Sequence, residues 1–390
     1  MASPSSASPV SDPLRLFVLA GEASGDRLGS DMVRRLKQRV ALDISGVGGP
    51  ELEAEGLKSL FPMSDLAVMG WSDVLRRLPL LLWRVRQVAN AIIRSRPDIV
   101  VLIDSQVFSK AVAQRVRKAG LKTPILLYVA PTVWAWRPER APALRGLFDE
   151  VFSILPFEPQ VMAQLGGPET HFVGHPAVTR FPGRPGISDR GPLLLLPGSR
   201  RGELKRHLPL MRSAVEQFRD HPRVTSFAIP TLESLVPTLR KEVADWPTAV
   251  ALVTGDVRRT AWDAAVAAFA VSGTVTLELA MSRIPMVVTY VADPHQARNY
   301  DKLGRTVTLA LPSIILGRGA VPELQLRSNE PPHDLSALRA LLDDPATAQA
   351  QLAAFDEVRT LMQKGAPEAP LADVADRVVA HAPQRLLIGS

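Results

Sequence analysis

Residues 14–26, LRLFVLAGEASGD, decide the fold class of this chain. Leu14–Ala20 is a short apolar run, which is typical of a strand buried on both faces of a sheet. Residues 21–26 form a turn of small residues, and the apolar residues at 28–40 have helical spacing. A buried strand that leads through a short turn into a helix is the repeating unit of a parallel sheet.

The same alternation continues along the chain. Further buried strands are predicted at Ile99–Ile103, 125–129, 151–155, 193–196, 224–229, Val250–Val253, Ala267–Val271 and 286–290. The segment 181–192 is rich in Gly and Pro and is predicted to be a linker. We therefore expect an α/β protein with two Rossmann-like domains facing a cleft and a helical C-terminal segment. The expected division is a disordered tail at 1–12, domains at 13–185 and 186–335, and C-terminal helices at 336–390.

Composition narrows the chemistry. The chain has 390 residues, no cysteine and a net charge of +7, which favours anionic partners. Its seven histidines form no close ligand pair, so we predict no protein-held metal and no cofactor. No apolar run is long enough for a membrane span. The first dozen residues lack the charged and apolar regions of a secretory signal, and no G-x-G-x-x-G follows either first strand, which argues against a dinucleotide dehydrogenase.

Three loops of the first half could carry chemistry. The turn at 21–26 could approach a ligand, or be an ordinary turn with Asp26 near the helix start. Asp104, directly after a strand, could act as a general base towards a hydroxyl, or cap the next helix. The loop at 129–137 contains Trp134, Trp136 and Arg137, which could form a platform for a sugar or a packed corner.

Two loops of the second half suit a nucleotide. In LPGSRRGE, residues 196–203, backbone donors with Ser199, Arg200 and Arg201 fit a diphosphate, although solvated arginines in a turn are the alternative. In SGTVTLE, residues 272–278, the polar groups could hold another part of the same nucleotide, with Glu278 on the ribose, or simply begin a capped helix.

The segment from Trp71 to Arg96 contains six arginines and one acid. Its apolar residues follow one helical face, and Pro79 is expected to divide the helix. Arginines beside Leu and Trp suit an anionic membrane interface better than nucleic acid, with a core helix as the alternative. The predicted membrane contacts are Trp71, Arg76, Arg77, Leu78, Leu81, Leu82, Trp83 and Arg84.

Taken together, these motifs resemble the lipid-A-disaccharide synthase family. The matching motifs are AGEASGD at 20–26, GVGGPELEAEG at 46–56, DLAVMG at 65–70, VWAWR at 133–137, LPFE at 155–158, FVGH at 172–175, LLPGSR at 195–200 and SGTVTLE at 272–278. The order VMG, VWAWR, LLPGSR is the most specific part of the resemblance.

The resemblance implies a glycosyltransferase of the GT-B type. Such an enzyme transfers 2,3-diacylglucosamine from its UDP derivative to 2,3-diacylglucosamine 1-phosphate, lipid X. The product is a β-1,6-linked disaccharide 1-phosphate, a lipid A precursor of Gram-negative lipopolysaccharide. The resemblance also implies a cytoplasmic location on the anionic inner-membrane surface and no nucleic-acid partner. A homodimer is one assembly that the sequence leaves open.

The resemblance also assigns roles to residues. Asp104 matches the base, and Arg200 matches the arginine that neutralises the departing diphosphate. Ser199, Arg201 and the turn of Ser272, Gly273 and Thr274 would complete the donor site with Glu278. Glu22, Ser24 and Asp26 would line the acceptor side with Trp134, Trp136 and Arg137.

The chain departs from the family pattern at two places. Val107 stands where the family often has a second aspartate, and Ser313 stands where L-P-N is usual. Two alternatives therefore stay open. One is a nucleotide-sugar binding protein of this fold with lost or altered activity, and the other is a different UDP-N-acetylglucosamine enzyme of the GT-B type.

Overall fold

The computed structural model describes residues 12–66, 71–292 and 308–384, with the backbone alone at 71–75. The strands in chain order are β1 (Leu14–Ala20), β2 (Leu42–Val47), β3 (Ile99–Ile103), β4 (Ile125–Tyr128), β5 (Glu150–Ser153), β6 (Thr170–Phe172), β7 (Gly191–Leu196), β8 (Val224–Pro230), β9 (Val250–Val253), β10 (Ala267–Val271), β11 (Met286–Val291), β12 (Glu323–Leu326), β13 (Gly365–Ala366) and β14 (Ala369–Pro370).

Most of the α-helices lie between successive strands of a sheet. In chain order they are α1 (Ala23–Lys37), α2 (Pro50–Ala54), α3 (Trp71–Ser95), α4 (Gln106–Lys118), α5 (Glu158–Gln164), α6 (Ala177–Arg180), α7 (Arg201–Phe218), α8 (Val236–Glu242), α9 (Gly255–Ala264), α10 (Thr274–Met281), α11 (Leu311–Leu316), α12 (Ser336–Asp343), α13 (Pro345–Lys364) and α14 (Val374–Val379).

Two six-stranded parallel sheets organise the chain. The first has the order β2-β1-β3-β4-β5-β6, and the second has the order β12-β11-β10-β7-β8-β9. Each sheet belongs to its own compact unit, so the predicted α/β fold with two Rossmann-like domains is confirmed. In both units the loops that leave the carboxyl ends of the strands therefore share one sheet edge.

The first sheet is covered on both faces because successive side chains of a strand point in opposite directions. In β1, Phe17 and Leu19 pack with α3 and α4, whereas Leu16 and Val18 pack with α1 and α14. All five residues of β3 are buried. The apolar runs that predicted the strands are thus the residues that bury both faces of the sheet.

The units divide at residue 175, and the chain returns to the first unit at residue 364. This differs from the expected boundary at 185 and from the separate C-terminal segment at 336–390. Helices α12 and α13 belong to the second unit, whereas α14 packs on α1 of the first unit. The predicted tail at 1–12 lies outside the described residues except for its last residue.

A buried carboxylate fixes the return of the chain. Glu150 in β5 is 1% exposed, and its two oxygens accept hydrogen bonds from Arg377 at 2.8 Å each. His381 Nε2 lies 2.7 Å from the same carboxylate. Burial raises the pKa of Glu150, but these donors outweigh it and hold the pKa below its usual value. The charged form of Glu150 is therefore part of the folded state.

Arg377→Ala should destabilise the protein by about 2 kcal/mol because it removes two bonds from a buried charge. Urea unfolding of the full chain measures this as a lower midpoint. The matched control is Arg35→Ala, because Arg35 pairs with Asp373 of the same C-terminal segment but is exposed. It should cost less than about 1 kcal/mol. Equal effects of the two substitutions would contradict the anchoring role of Glu150.

Candidate active site

The loops after β1 and β3 approach each other closely in the first unit. A Cβ on Gly21 would lie 2.1 Å from the Ser105 side-chain oxygen, so only glycine fits here. Glu22 is the exposed N-cap residue of α1, and Ser24 is exposed in its first turn. The helix begins at Ala23, so the predicted turn at 21–26 is shorter than expected. Glu22 and Ser24 therefore lie at the sheet edge where Asp104 also emerges.

Asp26 has a different role from the one expected. Its side chain is buried, and its carboxylate accepts backbone hydrogen bonds from Gly49, Glu51 and Leu52 at 2.8 to 3.2 Å. These donors belong to the first turn of α2, which otherwise has no side-chain cap. Asp26 thus caps α2, and its carboxylate does not line an acceptor pocket.

Asp104 stands in a strained backbone conformation. Asp104 and Ser105 have φ of 53° and 44°, the left-handed region that non-glycine residues rarely adopt. The Asp104 N–H donates to the Tyr128 carbonyl at 2.8 Å, and Ser109 donates its hydroxyl to the Asp104 carbonyl at 2.8 Å. Ser105, not Asp104, is the N-cap residue of α4. The capping alternative for Asp104 therefore fails.

The carboxyl group of Asp104 is partly buried. Burial raises its pKa above the ordinary value, and a backbone hydrogen bond from Ser105 acts in the opposite direction. The side chain is still partly exposed. A carboxylate with a raised pKa and access to a ligand can accept a proton more readily than an ordinary aspartate.

The loop after β4 presents one tryptophan to solvent and buries part of the other. Trp134 donates its indole N–H to Glu158 at 3.2 Å and packs edge-on against Phe157. Trp136 is exposed, with the Arg137 guanidinium 4.8 Å from its ring centroid. Of the two indoles predicted to form a platform for a sugar, only Trp136 is exposed, together with Arg137. Trp134 is a support of the loop.

Glu158 is a buried acid that the sequence reasoning missed as a functional group. It is 2% exposed and accepts hydrogen bonds from the Trp134 indole and the Leu155 backbone. Burial raises its pKa to about 8, although these hydrogen bonds lower it. Glu158 is therefore largely protonated at neutral pH, and its hydrogen bond holds Trp134 in place.

His175 ends the first unit. Burial lowers its pKa to about 4, so its imidazole is neutral at neutral pH. A neutral, partly buried imidazole is typical of a structural residue.

In the second unit, the Glu203 carboxylate accepts hydrogen bonds from the backbone N–H groups of the loop after β7. It accepts hydrogen bonds from the Ser199 and Arg200 N–H groups at 3.0 and 3.1 Å. Burial raises the Glu203 pKa, but these donors and the Arg200 guanidinium outweigh it and lower the pKa. The expected backbone cradle at Ser199 is thus filled by Glu203. The exposed side chains of Arg200 and Arg201 remain as the cations of this loop.

His207 fixes the same loop to β11. The Val291 N–H donates to His207 Nε2 at 3.0 Å, so Nε2 carries no proton. The proton is then on Nδ1, which donates to the Glu203 carbonyl at 2.8 Å. Burial lowers the pKa of His207, which agrees with this neutral form. The first turn of α7 is therefore held by an uncharged side chain.

The loop after β10 combines free and engaged polar groups. Gly273 has φ of 150°, and Gly273 and Thr274 are exposed at the start of α10. Ser272 donates its hydroxyl to the Leu309 carbonyl at 2.8 Å, and Glu278 lies 3.6 Å from Arg258. Ser272 and Glu278 thus have protein partners, and the exposed donors at Gly273 and Thr274 are the ones open to a ligand.

The two departures from the family pattern lie in different surroundings. Val107 is 79% exposed on the first turn of α4. Ser313 is buried, and its hydroxyl accepts a hydrogen bond from the Ala320 N–H at 3.0 Å. Ser313 thus stabilises the chain that leaves α11, whereas Val107 faces solvent close to Asp104.

Helix α3 is continuous across Pro79, contrary to the expected division. Leu81 packs against the core, whereas Leu78, Leu82 and Trp83 are exposed. Packing of Leu81, Val85 and Val88 against the first sheet selects the buried face. The predicted contact Leu81 is therefore a core residue, and the side chain of Trp71 lies outside the described residues.

The arginines of α3 differ in their partners. Arg84 is paired with Asp65, and its guanidinium lies over the rings of Phe61 and Trp83. Arg77 donates to the Ser64 carbonyl at 3.4 Å, and Arg76 is exposed. Arg84 is thus committed to protein contacts, unlike a cation that faces a membrane freely.

Among the residues that the structure describes, no three His, Asp or Glu side chains are grouped closely enough to hold a metal ion. No helix of the same residues has both the length and the apolar character that crossing a bilayer requires.

The two Rossmann-like units give this chain a fold that is also found in solved structures. A UDP complex of MnaA from S. aureus matches with a TM-score of 0.57 at 12% identity, covering 94% of this chain and 95% of that one. The glycotransferase of kitacinnamycin matches with a TM-score of 0.57 at 17% identity, covering 95% and 100%. At these identities the similarity concerns the fold.

The chain belongs to the lipid-A-disaccharide synthetase family, whose model matches residues 16–372. The lipid-A-disaccharide synthase of Bradyrhizobium diazoefficiens is 38% identical over 381 residues, covering 95% of this chain and 97% of that protein. The enzyme of the same name from Gluconobacter oxydans is 40% identical over 357 residues, covering 88% and 85%. The family predicted from the motifs is confirmed, and the protein is a glycosyltransferase.

Glu158→Gln should change how stability depends on pH. The wild-type acid titrates near 4.5 when unfolded and near 8 when folded, so the native state binds the extra proton in between. The free energy of unfolding should therefore fall as the pH rises through this window, and the variant should lose this component. Urea unfolding of both proteins at pH 5 and pH 8.5 measures it. A constant stability difference between the two pH values would contradict the raised pKa.

Proposed function

We propose that this chain is an inverting glycosyltransferase that joins UDP-2,3-diacylglucosamine to 2,3-diacylglucosamine 1-phosphate. The products are the β-1,6-linked disaccharide 1-phosphate and UDP, a step of lipid A biosynthesis. The observation that carries the proposal is Asp104, a partly buried carboxylate with a raised pKa, held at the end of β3 by a left-handed backbone. Family membership supplies the substrate class.

On the acceptor side, the Asp104 carboxylate takes the proton from the 6-hydroxyl as the bond to the donor forms. The acceptor oxygen attacks the anomeric carbon of the donor from the face opposite UDP, which inverts that carbon. The rigid backbone around Asp104 favours one orientation of the carboxylate, and such preorganisation lowers the cost of reaching the transition state. Glu22 and Ser24, together with Trp136 and Arg137, are the proposed acceptor contacts.

On the donor side, the bond between the anomeric carbon and the diphosphate oxygen breaks. The leaving UDP keeps the electron pair, so negative charge develops on the diphosphate. Arg200, which is 84% exposed in its side chain, and Arg201 are proposed to neutralise that charge. Gly273 and Thr274 would add hydrogen-bond donors, and Ser199, Ser272 and Glu278 would contact the nucleotide if ligand binding displaces their present partners.

A peripheral position on the cytoplasmic face of the inner membrane is part of this proposal, because both substrates are acylated. The surface that supports it is the exposed part of α3, where Leu78, Leu82 and Trp83 stand beside Arg76 and Arg86. Apolar side chains next to cations suit an anionic lipid interface. An anionic membrane surface is therefore a proposed partner.

Asp104→Asn should lower turnover by at least about 100-fold because the amide cannot accept the proton. The dissociation constant for UDP, measured by calorimetry, should stay unchanged because the donor loops belong to the other unit. The matched control is Asp31→Asn, an exposed acid of α1, which should keep wild-type turnover. Near-wild-type turnover of Asp104→Asn would remove Asp104 as the base.

Leu82→Glu with Trp83→Glu should weaken binding to anionic vesicles because two exposed apolar side chains become acidic. Cosedimentation with vesicles containing phosphatidylglycerol measures this binding. The control is Leu232→Glu with Val257→Glu, which makes the same change at exposed apolar residues of the second unit. If both double variants bind the vesicles as the wild type does, α3 is not the membrane contact.

A further inference from the structure

A pocket of about 290 Å³ lies beside the α4 start in the first unit. Gln106, Lys110 and Gln114 form one wall, because residues four apart lie on the same face of a helix. Arg140 and Leu144, from the segment between β4 and β5, also line the pocket. The volume is close to the lower end of ordinary small-molecule sites, about 300 Å³. The pocket therefore fits a small group or part of a larger ligand.

Two cations give this pocket its chemistry. Lys110 and Arg140 both line it and are half-buried. Among the residues that the structure describes, neither has a carboxylate partner. The Arg140 guanidinium lies 4.5 Å from the Trp136 ring centroid, so the stacking fixes its plane and leaves its N–H edge available. Two partly desolvated cations without a counter-charge form a site for an anion such as a phosphate monoester.

The pocket also has an apolar side. Val107 is an exposed apolar residue of its lining, and Leu144 is buried beside it. An inorganic ion makes no favourable contact with this apolar surface, whereas the apolar part of an acylated sugar phosphate can pack against it. The combined surface therefore fits an anionic amphiphile.

The pocket lies close to Asp104 along the chain. Gln106 follows Asp104 by two residues, so their Cα atoms lie within about 7.6 Å of each other. In a hexopyranose 1-phosphate, the ring oxygen joins the carbon that bears the phosphate to the carbon that bears the 6-hydroxymethyl group. The phosphate and the 6-hydroxyl are therefore close together on the sugar, as binding to neighbouring protein groups requires.

We propose that Lys110 and Arg140 bind the anomeric phosphate of the acylated sugar acceptor. The proposal rests on the proposed function and adds the site that recognises the acceptor phosphate. The same cations could instead contact the phosphate of a bilayer lipid. The concave shape and the proximity to Asp104 favour the acceptor, and the experiment separates the two sources.

The test compares two acceptors in detergent micelles, 2,3-diacylglucosamine 1-phosphate and its dephosphorylated form. The wild type should prefer the phosphorylated acceptor. Lys110→Ala with Arg140→Ala should reduce this preference in kcat/KM by about ten-fold or more, through a higher KM for the phosphorylated acceptor. Its kcat/KM for the dephosphorylated acceptor should not fall. Lys110→Arg with Arg140→Lys should retain part of the preference.

The control is Arg115→Ala with Lys118→Ala, which removes the same charge from exposed positions of the same helix. It should keep the wild-type preference, which excludes a general effect of net charge. Urea unfolding with the wild-type midpoint shows that every variant is folded in the first unit, where all four substituted positions lie.

Three results would overturn the proposal. The first is a pocket variant that keeps the full preference for the phosphorylated acceptor. The second is an equal loss for both acceptors together with weaker binding to phosphatidylglycerol vesicles, which assigns the cations to bilayer headgroups. The third comes from direct binding of the phosphorylated acceptor without donor, if the pocket variant binds it as the wild type does.

Direct binding also separates this inference from the proposed function. If the wild type forms no disaccharide but its binding of the phosphorylated acceptor depends on Lys110 and Arg140, the proposed function fails and the phosphate site stands. If the wild type forms the disaccharide and the pocket variant behaves as the wild type, the proposed function stands and the phosphate site fails.

Discussion

Burial of both faces of each parallel sheet is the constraint on which the rest of the structure depends. Strands such as β3 and β10 are buried along their whole length, so they carry no polar side chain within the sheet. In these two strands the polar groups appear only after the strand ends, and parallel strands end at one edge. Asp104 and Ser272 are the first polar residues after these two strands. The chemistry of each unit is therefore collected at one sheet edge by the packing of its core.

Backbone geometry then fixes the loops of the proposed acceptor side. Asp104, Ser105 and Val129 all have positive φ, which costs about 1–3 kcal/mol for each residue. Contacts between neighbouring loops hold this strain, because the Gln106 side chain donates to the Val129 carbonyl at 2.7 Å and Gly21 leaves room for Ser105. Such strain persists where a defined orientation is useful, and here it orients the proposed base. The buried Glu158 supports the loop after β4 by a hydrogen bond that it accepts from Trp134.

The strands could be predicted from the sequence because their apolar runs are local. Ile99–Ile103, Val250–Val253 and Ala267–Val271 match the strands of the structure residue for residue. The family could also be predicted, because its motifs lie in the loops that follow the strands.

The partners of polar side chains could not be predicted, because they come from distant parts of the chain. Asp26 caps α2, more than twenty residues away, and Glu150 receives Arg377 from the C-terminal segment. Glu203 differs from these residues because its partner is close in sequence: it lies three residues after Arg200, the N-cap residue of α7. This spacing is typical of a capping box, and Glu203 thereby occupies backbone donors that would otherwise face a diphosphate.

The most direct test of the proposed function is conversion of UDP-2,3-diacylglucosamine and 2,3-diacylglucosamine 1-phosphate by the purified full chain. The reaction is run in detergent micelles without added metal and read by mass spectrometry, with the anomeric configuration of the product read by NMR. We expect UDP and a disaccharide 1-phosphate with a β-1,6 linkage. Absence of the disaccharide from a sample that binds UDP would contradict it.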